Sequence, residues 1–209
     1  MNENILKRNA LLAEKVIEGL ASRNMTGYYA ADKEQALQTA LSLIPAGSSV
    51  TMGGCMSAQE IGLVAAVKAG DYRFIDRHAF SDPRQALLAA YDADVFLTSV
   101  NAMTEDGVLV NIDGNANRVS AIANGPRRVV MIVGMNKVCP DVDSALKRAR
   151  NVAAPINAQR FGLSTPCART GACMDCKSPD TICCQFLVTR YSKHKGRIHV
   201  ILANDDLGF

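Results

Sequence analysis

With 209 residues, 48% of them apolar and 21% charged, the chain is long enough for one α/β domain and has the composition of a folded globular protein. A net charge of +3 with no dense basic stripe argues against nucleic-acid binding, and "RYSKHKGR" at 190–197 reads as a solvated basic turn. Glu3, Lys7, Arg8, Glu14, Lys15 and Glu18 interrupt the N-terminal apolar residues, so neither a signal peptide nor membrane insertion is expected, and the sequence reads as cytoplasmic.

The first predicted element is a helix that places Ile5, Leu6, Ala10, Ala13, Val16, Ile17 and Leu20 at helical spacing. Asp32 and Gln35 form a capping box for a second helix, ended by Pro45 and Gly47, which completes an N-terminal helical segment over 1–44. A buried strand follows at "SSVTM", then the loop "GGCMS", then a helix from about Ala58 to Ala69 with Ser57 and Glu60 as its capping box. "YRFID" is a short strand, and Asp82–Pro83 opens a helix to about Tyr91. "DVFLTSV", "GVLVNI" and "RVVMIVG" are strands, with a short helix in "GNANRVSAIANGP" between the last two. "PDVDSALKRARNVAAPINAQRF" is helical with a break or kink at Pro155. Residues 165–184 form a Cys-rich loop punctuated by Pro166, Gly171 and Pro179, and "CQFLVTRY" and "RIHVILA" are expected to close the chain as a β-hairpin. Strands alternating with helices predict a mainly parallel, helix-flanked sheet in a single domain over 1–209.

Two stretches point to a small anionic ligand. In "SSVTMGGCMSAQEIG", Gly53 and Gly54 turn the backbone sharply, and Cys55 and Ser57 open a helix whose first N–H groups lack internal partners. A tight turn without a ligand accounts equally well for this pattern. The second stretch runs from Asn101 through Asp106, Asn111, Asn117 and Arg118, and the strand "DVFLTSV" should deliver its start to the carboxyl end of the sheet. Some of these Asn and Asp residues serve turns. Lys137, at the end of the strand 128–134, is a further anion ligand or else a solvated surface lysine.

Five of the seven cysteines fall within "TPCARTGACMDCKSPDTICC" at 165–184. In a reducing compartment such clustering favours metal or redox chemistry over disulfides, and an odd count cannot complete a disulfide framework. His78, His194 and His199 are scattered and support no catalytic triad.

Six ordered blocks, "TMGGCMSAQEIGL", "NAMTEDGVLVNIDGNANRVSAI", "NGPRRVVMIVGMNKV", "APINAQR", "GACMDCKSPDTIC" and "VILANDDLGF", together resemble the lactate-utilisation (LUD-domain) family. The resemblance runs from about residue 10 to the C-terminus. It implies a sheet of the NagB/RpiA/CoA-transferase-like superfamily and association with iron–sulfur subunits that oxidise L-lactate. It assigns no catalytic residue. Cys55 stands where that family usually carries Ser, Cys139 where an aliphatic residue is common, and Cys184 where Asn is usual. With Cys184 set aside, Cys167, Cys173, Cys176 and Cys183 remain at C-x5-C-x2-C-x6-C spacing. Four thiolates suit an iron–sulfur cluster or, alternatively, zinc; reduced thiols without metal are the third reading.

Three functions compete. The first is an accessory or electron-transfer component of an iron–sulfur-dependent lactate-oxidising (oxidoreductase) complex. The second is an isomerase- or transferase-type enzyme that takes a phosphorylated or CoA-linked small molecule at the glycine loop. The third is a redox-sensing regulatory protein. Homo-oligomerisation is left open.

Overall fold

The computed structural model describes residues 2–209. Strands, numbered along the chain, form two sheets. The larger is wholly parallel and contains β1 (Thr26–Ala30), β2 (Ser49–Met52), β3 (Arg73–Ile75), β4 (Val95–Thr98), β7 (Arg128–Gly134) and β10 (Ile198–Ala203), in the spatial order β1-β10-β7-β4-β2-β3. The smaller contains β5 (Ala102–Thr104), β6 (Leu109–Asp113), β8 (Val138–Cys139) and β9 (Gln185–Thr189), in the order β8-β5-β6-β9.

Burial explains why the central strands lack alternation. Side chains on β7 point alternately to the two faces, and both faces are covered. Val129, Met131 and Val133 join one core with Ala13, Val16 and Leu20 of α1 (Glu3–Ser22) and with Met103 and Leu109 of the second sheet. Val130 and Ile132 join the other with Ala36 and Ala40 of α2 (Lys33–Ser42), Ala58 of α3 (Met56–Glu60) and Leu63 and Val67 of α4 (Leu63–Ala69). Helix α5 (Pro83–Tyr91) begins with proline at its first turn, as expected, and Asp82 accepts from Arg84 N. The Asp32–Gln35 pair also behaves as a cap: Asp32 accepts from Gln35 N at 2.8 Å, and Gln35 Oε1 accepts from Ala31 N at 2.6 Å.

Several local expectations are corrected. Ser57 does not cap a helix, and the single helix 58–69 is two. Cys55 occupies the cap position of α3, and Gly62 at φ +77° separates α3 from α4. The C-terminal strands are present, but they are not a hairpin. The turn at 190–197 carries the chain from one sheet to the other: β9 pairs antiparallel with β6, and β10 inserts between β1 and β7. The reason is apolar content, since every residue of β10 is buried whereas most of β9 is exposed. The helical run continues through Pro155, but its α-helical bonding is interrupted just before it. A π-helical segment at Ala149–Ala153 lies between α7 (Val142–Arg148) and α8 (Ala154–Arg160), so the proline sits at the start of a new run of i→i+4 bonding. The cysteine segment, expected to be wholly loop, begins with the short helix α9 (Pro166–Thr170), closed by Gly171 in the left-handed conformation.

From β2 the chain moves outward to β3; from β4 it passes through the second sheet to β7, on the opposite side. The crevice beyond the carboxyl ends of β2 and β4 is thus where strand order reverses, the usual ligand position in open parallel sheets.

Candidate functional site

A cavity of about 290 Å³ occupies this crevice. The loop after β2 contributes Gly54, Cys55 and Ser57, and the loop after β4 contributes Ser99 and Asn101. The end of β6 and the start of α6 (Asn117–Asn124) bring Asp113, Asn117 and Arg118, and the 3₁₀ turn after β7 brings Lys137. Seven of the ten residues expected from the sequence therefore line one pocket.

The other three lie outside its lining. Gly53 is buried behind it, and a Cβ there would sit 3.6 Å from the Arg118 side chain. Asn111 is fully buried in β6, where its Oδ1 accepts from Arg118 Nη1 at 2.5 Å. Asp106 is remote. It sits in the β5–β6 turn, at the far end of that strand pair, ion-pairs with Arg23 and accepts from Thr104. Hydrogen bonding from Thr104, then from Arg23, holds its carboxyl below the ordinary aspartate range.

Arg118 is held rigidly. Its Nη2 donates to Asn101 Oδ1 (2.9 Å) and Ile112 O (2.6 Å), in addition to the Asn111 bond. The Asp113 carboxylate is engaged by the backbone N–H groups of Arg118 and Val119, which it caps at 2.8 and 3.1 Å. Arg148 ties the two pocket-forming loops together, donating to the carbonyls of Asn136 (3.0 Å) and Asn101 (2.5 Å).

Lys137 is not a solvated surface lysine. It is 2% exposed, and its Nζ donates to Ser57 Oγ at 3.0 Å and Ser99 Oγ at 3.1 Å. Burial pushes its pKa down to about 8, against a smaller upward pull from Cys55. The Cys55 thiol, also buried in the pocket, is pushed up by burial, while Lys137 and Arg118 pull it down. Arg77 and Arg160 also line the pocket. Burial, then repulsion from Arg77, lowers the Arg160 pKa. The sequence reading missed Ser99, Arg77 and Arg160. Ser99 directly follows a buried strand and was legible in principle; the two arginines come from segments that carry no local signal.

Four basic side chains thus line the pocket with one acidic side chain, Asp113, whose carboxylate already accepts from two backbone N–H groups. The attraction for an anion resides in these side chains. The helix N-terminus that the sequence pointed to belongs to a single five-residue turn, whose dipole is small.

A second cavity, of about 80 Å³, is lined by Cys167, Cys173, Cys176 and Cys183 together with Arg150 and Thr165. The exposed Cys184 does not line it, and Cys139 is buried in β8 of the second sheet. All seven cysteines are free thiols. Burial raises Cys183 to about 11, and the neighbouring thiols of Cys173, Cys167 and Cys176 push in the same direction. Thr165 Oγ1 lies 3.3 Å from Cys167 Sγ, and Arg150 pairs with Asp175 at the rim. Among the described residues, no three His, Cys, Asp or Glu side chains converge closely enough to hold a single ion. Cys167, Cys173, Cys176 and Cys183 instead line a common cavity, and the first three lie near enough to Cys183 to raise its thiol; four thiolates are the donor set of an iron–sulfur cluster or of zinc. Ile182 lines both cavities, and a Cβ on Gly114 would lie 3.2 Å from the Ile182 Cα, so the two sites share a wall.

Among the described residues, no helix is long and apolar enough to cross a membrane. No match is found among curated proteins. The crystal structure of a DUF162 family protein from Deinococcus radiodurans superimposes with a TM-score of 0.53 over 94% of this chain and 98% of that one, at 14% identity, and so shares the fold. The family model of the LUD domain matches residues 13–203. The chain belongs to the LUD-domain family and is, to that extent, a protein associated with lactate utilisation.

Proposed function

We propose that this protein is a redox-active component of an iron–sulfur-dependent lactate-oxidising complex in the cytoplasm, with Cys167, Cys173, Cys176 and Cys183 as ligands of an iron–sulfur cluster. The carrying observation is that these four thiols, dispersed over 17 sequence positions, line one cavity that shares Ile182 with a cationic pocket. A cluster there would supply one-electron transfer. The chain's own residues would hold a small anion one wall away and keep its negative charge against Arg118 and Arg160. Met174 and Phe186 line the thiol cavity and are 60% and 49% exposed, which offers an apolar rim to a partner iron–sulfur subunit.

Strictly anaerobic purification tests this reading, with iron and acid-labile sulfide assays and an electron paramagnetic resonance spectrum after reduction. About four iron and four sulfide per chain are expected. Protein that stays metal-free under these conditions, and again after reconstitution with iron and sulfide, defeats it. Stoichiometric zinc in place of iron assigns the thiols a structural role instead.

The anion pocket favours a second reading, an enzyme acting on a small phosphorylated or carboxylated molecule. A volume of about 290 Å³ lies at the small end for ligand pockets and does not enclose a whole CoA ester. Thermal-shift measurements with phosphate, sulfate and short carboxylates test it; no stabilisation by any of them counts against an anion site.

A further inference from the structure

Lys137 is chemically out of place. A cation at 2% exposure is normally paired with a carboxylate, yet no carboxylate among the described residues lies within 4.0 Å of its Nζ. Among the described residues its hydrogen-bond partners are two hydroxyls. Those hydroxyls also face main-chain carbonyls, Ser57 Oγ at 3.3 Å from Leu207 O and Ser99 Oγ at 3.4 Å from Val100 O. They are arranged to hold the amine, and neither is free to attack as a nucleophile. Gly208, at φ +55°, closes over the group: a Cβ there would lie 2.9 Å from Ser57 Oγ and 3.2 Å from Lys137 Nζ. Lys137 nevertheless lines the pocket, on the same cavity as Arg118 and Arg160.

We propose that Lys137 is an imine-forming lysine, whose amine condenses with the carbonyl carbon of a small carboxylate bound in the cationic pocket. The substrate class is an aldehyde or ketone acid. Its carboxylate is recognised by Arg118 with Arg160, and its carbonyl carbon faces Nζ. In the step, the nitrogen lone pair forms a C–N bond and the carbonyl oxygen becomes the hydroxyl of a carbinolamine. That oxygen then leaves as water, carrying the two hydrogens lost from the amine, and the C=N bond remains. No oxidant or reductant is required. Ser57 and Ser99 accept hydrogen bonds from the amine and fix its position, and the protons pass from nitrogen to the departing oxygen through solvent entering the pocket. Burial supports the chemistry by keeping a share of the amine neutral near physiological pH, the usual route to reactive lysines.

The test is reductive trapping. The full chain is incubated with glyoxylate and borohydride, digested, and mapped by mass spectrometry. The Lys137 peptide is expected to carry the adduct, and excess sulfate to suppress it. Labelling there should rise about tenfold from pH 7 to pH 9 and then level off, as expected for an amine titrating near 8. A surface lysine at about 10.4 rises roughly a hundredfold over the same span and continues upward. Acetaldehyde, which lacks the carboxylate, should label Lys137 at least about tenfold less, equivalent to one charge-assisted contact of about 1.4 kcal/mol. Adducts confined to other lysines overturn the proposal, and so does equal labelling of Lys137 by acetaldehyde and glyoxylate. Because the thiol cavity takes no part, a chain with Cys167, Cys173, Cys176 and Cys183 changed to Ser should still trap glyoxylate. Loss of iron and loss of trapping are therefore separate results.

Discussion

Changing Lys137 to Met should stabilise the protein at neutral pH and destabilise it at alkaline pH. The folded state lowers the lysine from 10.5 to about 8, so the unfolded chain binds this proton more readily than the folded one. Stability contributed by the group is therefore lowest below pH 8 and recovers as pH rises towards 10.5. At about 1.4 kcal/mol per pH unit, the cationic lysine costs roughly 3 kcal/mol at pH 7 and roughly 1 kcal/mol at pH 10. Methionine fills a similar volume and removes that cost, but it loses the hydrogen bonds to Ser57 and Ser99, about 1 kcal/mol each. The balance favours Lys137→Met by about 1 kcal/mol at pH 7 and wild type by about 1 kcal/mol at pH 10. Urea unfolding of both chains at the two pH values measures the difference, in which other titrating groups cancel. A variant less stable than wild type by more than about 2 kcal/mol at both pH values, with no change in the gap, would refute a desolvated, unpaired ammonium. A lysine retained at such a cost is what a stability–function trade-off leaves at a reactive site.

Single Cys→Ser changes at Cys167, Cys173, Cys176 or Cys183 should each abolish or sharply reduce bound iron, whereas Cys184→Ser and Cys139→Ser should leave it unchanged, read by metal analysis of anaerobic protein. Arg118→Met removes the donors to Asn111 Oδ1, Asn101 Oδ1 and Ile112 O; a loss of roughly 3 kcal/mol is expected by urea unfolding, together with loss of stabilisation by sulfate. Gly208→Ala places a methyl group against Ser57 and Lys137 in a left-handed backbone position, so about 1–2 kcal/mol of stability and most glyoxylate trapping should disappear. His199 is held below its ordinary pKa by burial, with Nδ1 at 3.0 Å from Tyr28 Oη. The unfolded chain therefore gains the proton first, and stability should fall as pH drops below about 6.5, less steeply in His199→Gln.

Much of the pocket was legible because its residues follow strands. "SSVTM", "DVFLTSV" and "RVVMIVG" read as buried parallel strands, and a parallel sheet gathers whatever follows their carboxyl ends, here Gly54–Ser57, Asn101 and Lys137. Asp106 misled because polarity near a turn looks the same at either end of a hairpin. Only the pairing of β5 with β6 shows that residues 105–108 lie a strand's length from the crevice. Arg77 and Arg160 were invisible as site residues because an isolated arginine on a turn or helix announces no partner until chain packing supplies one. The cysteine set was legible in spacing, but that spacing fitted several chemistries.

By itself the sequence determined the layered α/β class, the mainly parallel character of the main sheet and the family, since these rest on local periodicity and on blocks of residues recognisable in order. Tertiary structure alone decided that the last two strands enter different sheets, that Lys137 is buried with no carboxylate partner among the described residues, and that four cysteines and four basic residues line adjoining cavities. The reason is that charge burial and side-chain convergence depend on contacts between residues far apart in the chain, such as Lys137 with Ser57 and Ser99, and no local pattern records them.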